Sequence, residues 1–115
     1  MDDKLTLRID SLLSHIDKVL NDTNGLTIEE FEKNDLLVRA TCFSVAQIGE
    51  NMNKLEESLS QRYPDLPWTS ARSMRNVIVH DYDGTDVEEV LSTIRNDLPL
   101  LKTAFLSIKR DITTL

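Results

Sequence analysis

Residues 75–82 read Arg75-Asn76-Val77-Ile78-Val79-His80-Asp81-Tyr82, and they hold one of the chain's two histidines and one of its two tyrosines. On a helix turning about 100° per residue, Met74, Val77, Ile78 and Asp81 share one arc, and the first three can face a core. Arg75 and Tyr82 then stack on one flank, and Asn76 and His80 on the other. Val79 lies between them, on the outward side. A cation, a phenol, an amide and an imidazole therefore rim an apolar residue on the exposed surface. Arginine is a permanent planar cation that suits phosphate, and histidine is the side chain best poised for proton transfer near neutral pH. On one helix the Cβ atoms of Arg75 and His80 stand about 10 Å apart, so the two can meet a single phosphate only across a shared cleft. A second copy related by a two-fold axis would add another arginine and histidine to that cleft. The plainer reading is a surface arginine, a partly buried histidine and a helix-end tyrosine with no joint task. Spacing alone leaves both readings open.

The surrounding segments extend the pattern. Tyr63-Pro64-Asp65-Leu66-Pro67-Trp68 leads into Arg72-Ser73-Met74-Arg75-Asn76, Gln47-Ile48-Gly49-Glu50 lies upstream, and Asn96-Asp97-Leu98-Pro99-Leu100-Leu101-Lys102 follows. Taken together and in this order, these segments resemble the HepT-like toxins, the DUF86 family of the HEPN superfamily of small helical ribonucleases. The resemblance implies a metal-independent endoribonuclease of a toxin–antitoxin pair, with no cofactor. His80 would be the acid/base, Arg75 would bind the scissile phosphate, and Asn76 would orient one or the other. It also implies an MntA-type nucleotidyltransferase antitoxin that transfers AMP to Tyr82. Such a bulky anion two residues from His80 would block the cleft and repel RNA phosphate. The alternative within the same superfamily is a non-catalytic helical binding partner of a nucleotidyltransferase.

The elements that must position these residues are helical. A chain of 115 residues with three glycines, three prolines and 5% aromatics, rich in Leu, Ile, Glu, Lys and Asp, is expected to form one all-α domain over residues 1–115. Its single Cys42 excludes an internal disulfide, and no Cys/His spacing suggests zinc. No apolar run reaches signal-peptide or membrane length, so a cytoplasmic protein with no membrane partner is expected. The net charge of −7 argues against loose binding to nucleic acid, and DNA is not expected as a partner. RNA chemistry must use a local basic cleft, to which Arg72 and Arg75 are the obvious contributors. The acidic balance also suits docking onto a basic protein.

Leu5, Ile9, Leu12, Leu13, Ile16, Val19 and Leu20 predict an amphipathic first helix from Asp3 to Leu20, followed by a turn over residues 21–25. His15 lies beside that stripe and reads as solvated or half-packed. Thr27 and Glu30 form a capping box for a short helix through Phe31. A break near Asn34-Asp35, with Asp35 as cap, opens a long helix to about Arg62. Its seam is Leu37, Thr41, Ser44, Ile48, Met52, Leu55 and Leu59, and small residues at 40, 42, 44, 46 and 49 keep it slim for close neighbours. Glu50 and Asn51 read first as a solvated face and second as cleft lining.

Pro64 and Pro67 exclude helix between Tyr63 and Pro67. Trp68 then starts the motif helix, as a packing anchor rather than a base-stacking platform, and that helix ends near Asp81. Residues 85–88 cap a further helix, whose apolar stripe runs from Val87 to Ile112. Pro99 kinks it or opens a new helix capped by Asn96 or Asp97. The expected architecture is an antiparallel four- to five-helix bundle of HEPN type, assembled as a homodimer.

Overall fold

The computed structural model describes residues 3–75 and 86–113. They form six α-helices in chain order: α1 (Asp3–Thr23), α2 (Ile28–Lys33), α3 (Asp35–Leu59), α4 (Trp68–Arg75), α5 (Val87–Asn96) and α6 (Leu98–Thr113). The all-α expectation is met, with more helices than the four or five foreseen. The difference arises at Asp97, where the apolar stripe from Val87 to Ile112 is cut into α5 and α6. Asp97 ends α5, its N–H donating to the Thr93 carbonyl, and its own carbonyl accepts from the Leu101 N–H at 3.0 Å to start α6. Pro99 then falls in the first turn of α6, where a missing amide hydrogen costs nothing.

Two other boundaries move for local reasons. The first helix continues past Leu20 to Thr23, because the Thr23 hydroxyl donates to the Val19 carbonyl at 2.8 Å and the residue is buried. The turn shrinks to its end, where Gly25 takes a φ of +75°, the left-handed conformation in which a Cβ is costly. The cap of α3 is Asn34 rather than Asp35. The Asn34 side chain accepts from the Leu37 N–H, while Asp35 occupies the first helical turn and pairs with Arg39. The capping box of α2 forms as expected, with Thr27 and Glu30 exchanging side-chain and backbone hydrogen bonds. Phe31 on α2 is fully buried, a contribution of about 1.5–3 kcal/mol for a side chain of that size.

The core sits between α1, α3, α5 and α6, filled by Ile9, Leu12 and Ile16, by Ile48, Met52 and Leu55, and by Leu91, Ile94, Leu98 and Phe105. Helix α3 is central, burying Val38, Cys42, Val45, Ala46 and Gly49 beside much of its expected seam. Packing is antiparallel. Arg8 and His15 of α1 meet Asn51 and Ser44 of α3, and Asp10 and Asp17 of α1 pair with Lys109 and Lys102 of α6.

The segment between α3 and α4 is pinned to α6. Trp68 is buried with its ring edge-on to Phe105, and its indole N–H donates to the Tyr63 carbonyl at 2.9 Å. The Tyr63 hydroxyl donates to Asp111 on α6 at 3.0 Å. Trp68 is thus the packing anchor that its position beside Pro67 suggests. From there α4 turns back along α3 and lies against Gly49. A Cβ at residue 49 would stand 2.6 Å from the Ala71 carbonyl oxygen and 3.0 Å from the Arg75 Cα, and would also collide with the Arg75 amide nitrogen. These are backbone atoms of a helix, which cannot step aside singly. Alanine at this position gains up to about 1 kcal/mol of helix propensity. It must nevertheless push α4 off α3, so Gly49→Ala is expected to destabilise by about 1–3 kcal/mol net. Thermal unfolding followed by circular dichroism checks this, and an unchanged or raised Tm would contradict the close approach.

Candidate functional site

Helix α4 carries the start of the motif. Ala71 and Met74 are buried against α3, and Arg75 is exposed on the same helix, as the arc containing Met74 requires. The backbone contact at Gly49 sets the position of Arg75 relative to the next residue of α3, Glu50. Arg75 Nε stands 3.9 Å from Glu50 Oε2, and Lys54 Nζ stands 3.8 Å from Glu50 Oε1. Both separations exceed hydrogen-bond length, and the side chains of Arg75 and Glu50 are 44% and 36% exposed. Glu50 therefore orients two cations without gripping either, and the guanidinium stays within reach of solvent. Glu50 is thus partly exposed, as a solvated face requires, and lies beside Arg75.

Asn51 departs from the solvated-face expectation. It is buried at 5% exposure, its Oδ1 accepts from Arg8 Nη1 at 3.2 Å, and its Nδ2 donates to Ser11 Oγ at 3.3 Å. Both partners belong to α1, so Asn51 fastens α1 to α3 one residue from Glu50. Sequence reasoning missed Arg8 and Ser11. The available signal was a cation and a hydroxyl three residues apart on the flank of the α1 stripe, a spacing that puts both on one face.

His15 is half-buried, with Nδ1 3.3 Å from Ser44 Oγ and its ring edge-on to Phe43. Burial, and then the nearby Lys18 charge, hold its imidazole below the ordinary histidine range. That agrees with the half-packed reading and leaves it outside the site. Cys42 is buried, and burial pushes its thiol up, which suits a packing residue rather than a nucleophile.

Arg72 lies on α4, on the turn before Arg75. Asn76, Val79, His80 and Tyr82, and with them the expected helix end near Asp81, fall outside the described residues. Of the expected site, the structure brings Arg75 and Glu50 together. Among the described residues no three of His, Cys, Asp or Glu gather as a metal site, and no helix is long and apolar enough to cross a membrane.

Asn51 and Glu50 separate structural from surface roles. Asn51→Ala leaves Arg8 and Ser11 without their partner and is expected to cost about 1–3 kcal/mol. Glu50→Gln alters only exposed, water-screened pairs and should change stability by less than about 1 kcal/mol. Chemical denaturation of the two variants in parallel checks the contrast.

Comparison with known proteins places the chain among ribonucleases. A family profile described as "Ribonuclease HepT-like" matches residues 12–108. A protein of Methanocaldococcus jannaschii described as a candidate RNase is 30% identical over 101 residues, covering 88% of this chain and 87% of its own length. The "Probable ribonuclease HepT" of Thermococcus cleftensis is 26% identical over 106 residues, covering 89% of this chain and 93% of its own. A candidate RNase of Caldanaerobacter subterraneus subsp. tengcongensis is 26% identical over 94 residues, covering 82% and 84%. No solved structure matches significantly.

Proposed function

Because this chain belongs to the ribonuclease HepT-like family, whose profile spans residues 12–108, we propose that it is the endoribonuclease toxin of a HepT/MntA-type toxin–antitoxin system. The family match carries this reading. The exposed placement of Arg75 beside Glu50 supports it. In the proposed reaction the 2′-hydroxyl of RNA attacks the adjacent 3′-phosphate. The 2′-oxygen–phosphorus bond forms, the bond from phosphorus to the 5′-oxygen breaks, and the chain ends as a 2′,3′-cyclic phosphate and a 5′-hydroxyl. His80 takes the proton of the attacking hydroxyl or supplies one to the leaving oxygen. Arg75 binds the phosphate and offsets the charge that grows on its oxygens. Asn76 orients His80 or the phosphate, Arg72 adds positive charge, and no step calls for a metal ion.

A homodimer would place two copies of the motif in one cleft, giving each phosphate arginine and histidine from both sides. The acidic charge of −7 alone favours the second reading, a helical partner without nuclease activity. Cleavage assays decide between them. The wild-type protein is expected to cut RNA with EDTA present, and Arg75→Ala and His80→Ala are each expected to lose about 10²–10⁴-fold in rate while keeping the circular dichroism spectrum. Cleavage that survives in a folded His80→Ala protein removes His80 as the acid/base.

The antitoxin in this proposal is a nucleotidyltransferase that acts on Tyr82. The phenol oxygen attacks the α-phosphorus of ATP, pyrophosphate leaves, and the phenol proton passes to the transferase or to water. The AMP ester puts a fixed negative charge two residues from His80, where it repels RNA phosphate. Incubation with the transferase, ATP and Mg²⁺ is expected to add one AMP per chain by intact-mass spectrometry and to silence cleavage, with Tyr82→Phe resistant to both. An unchanged mass, or a label mapped to Tyr63, leaves inhibition by docking as the mechanism.

A further inference from the structure

Cations from three helices gather around one turn of α3. Glu50 has Arg75 Nε of α4 3.9 Å from one carboxylate oxygen and Lys54 Nζ of α3 itself 3.8 Å from the other. Arg8 of α1 donates from Nη1 to the Asn51 amide oxygen at 3.2 Å, so its charge is met there by a neutral group. One carboxylate thus stands among Arg8, Lys54 and Arg75, which makes a locally positive surface on a chain of net charge −7. Glu57, exposed one turn past Lys54, bounds that surface along α3. Arg72 and Arg75 are the basic residues that adjoin the motif in sequence. Lys54 joins them only through the docking of α4 on α3.

The Lys54 side chain is half exposed, and its nitrogen stands beyond hydrogen-bond length from Glu50. Its ammonium therefore keeps donors for another acceptor. Lys54 and Arg75 approach opposite oxygens of one carboxylate. At most two ion-pair distances and the width of a carboxylate separate them, a span that one nucleotide of extended backbone covers. Phosphates recur once per nucleotide, so a strand with one phosphate on Arg75 carries the neighbouring phosphate to Lys54. The linking sugar then passes over Glu50, whose carboxylate accepts from a hydroxyl but would repel a phosphate. A compact ammonium on a flexible stem suits a phosphate that is only held, while the planar guanidinium suits the one that reacts.

We propose that Lys54 is a second phosphate subsite, binding the phosphodiester next to the one held by Arg75, with Arg8 adding to the field that draws the strand there. This rests on the ribonuclease reading above and gives it a substrate requirement, two successive phosphates for full binding.

Cleavage of a dinucleoside monophosphate and of a decanucleotide, both in EDTA, tests it on the wild type, Lys54→Ala and Lys54→Arg. All three are expected to share one circular dichroism spectrum, since the side chain is half exposed. On the decanucleotide, Lys54→Ala should raise KM about three- to tenfold at low salt and leave kcat near the wild-type value. It should also reduce the slope of log kcat/KM against log salt by about 0.7, the share of one phosphate contact on a single strand. The dinucleotide has no flanking phosphate, so its cleavage should not change, and Lys54→Arg should restore the decanucleotide. An equal loss on both substrates, or no loss on the longer one, overturns the subsite. Fluorescence anisotropy with a decanucleotide methylated at every 2′-oxygen, which binds but cannot react, separates this inference from the nuclease reading. Binding weakened by Lys54→Ala in a protein that cuts nothing supports the subsite and removes the nuclease. Unchanged binding in a protein that cuts removes the subsite alone, and a wild type that neither binds nor cuts overturns both.

Discussion

The absence of a side chain at Gly49 lets the backbone of α4 rest directly on α3, with the Ala71 carbonyl and the Arg75 backbone occupying the space a Cβ would need. Nothing else in the described structure fixes Arg75 so closely. A helix of eight described residues holds little stability of its own, because helix nucleation is costly and short helices rely on packing. It is held by Trp68 at its start, by Ala71 and Met74 along its inner face, and by contact with α3 at Gly49. The neighbouring Glu50 then lies within electrostatic reach of Arg75 because residue 49 permits the approach. One missing methyl group thus links packing to the charge arrangement of the site.

The polar groups around this contact divide by burial. Asn51 is inside, where an amide must find its partners, and it finds two on α1. Glu50, one residue before, looks outward and meets Arg75 and Lys54 at distances where water screens the charges. The first residue locks the helix that carries the second. Arg75 therefore stands exposed and loosely paired above a scaffold held by buried contacts. The protein can be acidic overall and still act on RNA, since the field a phosphate meets in a cleft is set by the nearest charges rather than by the net charge.

Much of the fold was legible in the chain because its signals are local. Apolar spacing marked α1, α3 and the stripe of α5 and α6. The capping box at Thr27 and Glu30 marked α2, and the prolines at 64 and 67 marked the break before Trp68. Boundaries moved where a side chain had two plausible roles. Asn34 and Asp35 can each cap a helix, and Asn34 does. The stripe from Val87 to Ile112 reads as one kinked helix or as two, and Asp97 divides it into two. The residues of the RNVIVHDY octet, with the segments around them, were enough to identify the family, because a motif is a statement about residue types in order.

By itself, the sequence determined that the chain is all helical, that α3 is slim, that Trp68 anchors a helix after a proline turn, and that Arg75 lies off the core-facing arc set by Met74. Each follows from periodicity or from the stereochemistry of single residues, which act over a few positions. Only the tertiary structure decided what lies across each gap. It showed that Gly49 faces the backbone of residues 71–75, that Asn51 is buried and bonded to Arg8 and Ser11 rather than solvated, and that Glu50 is the carboxylate beside Arg75. These contacts join residues 22 to 43 positions apart. Their existence depends on how whole helices dock, which no local pattern encodes.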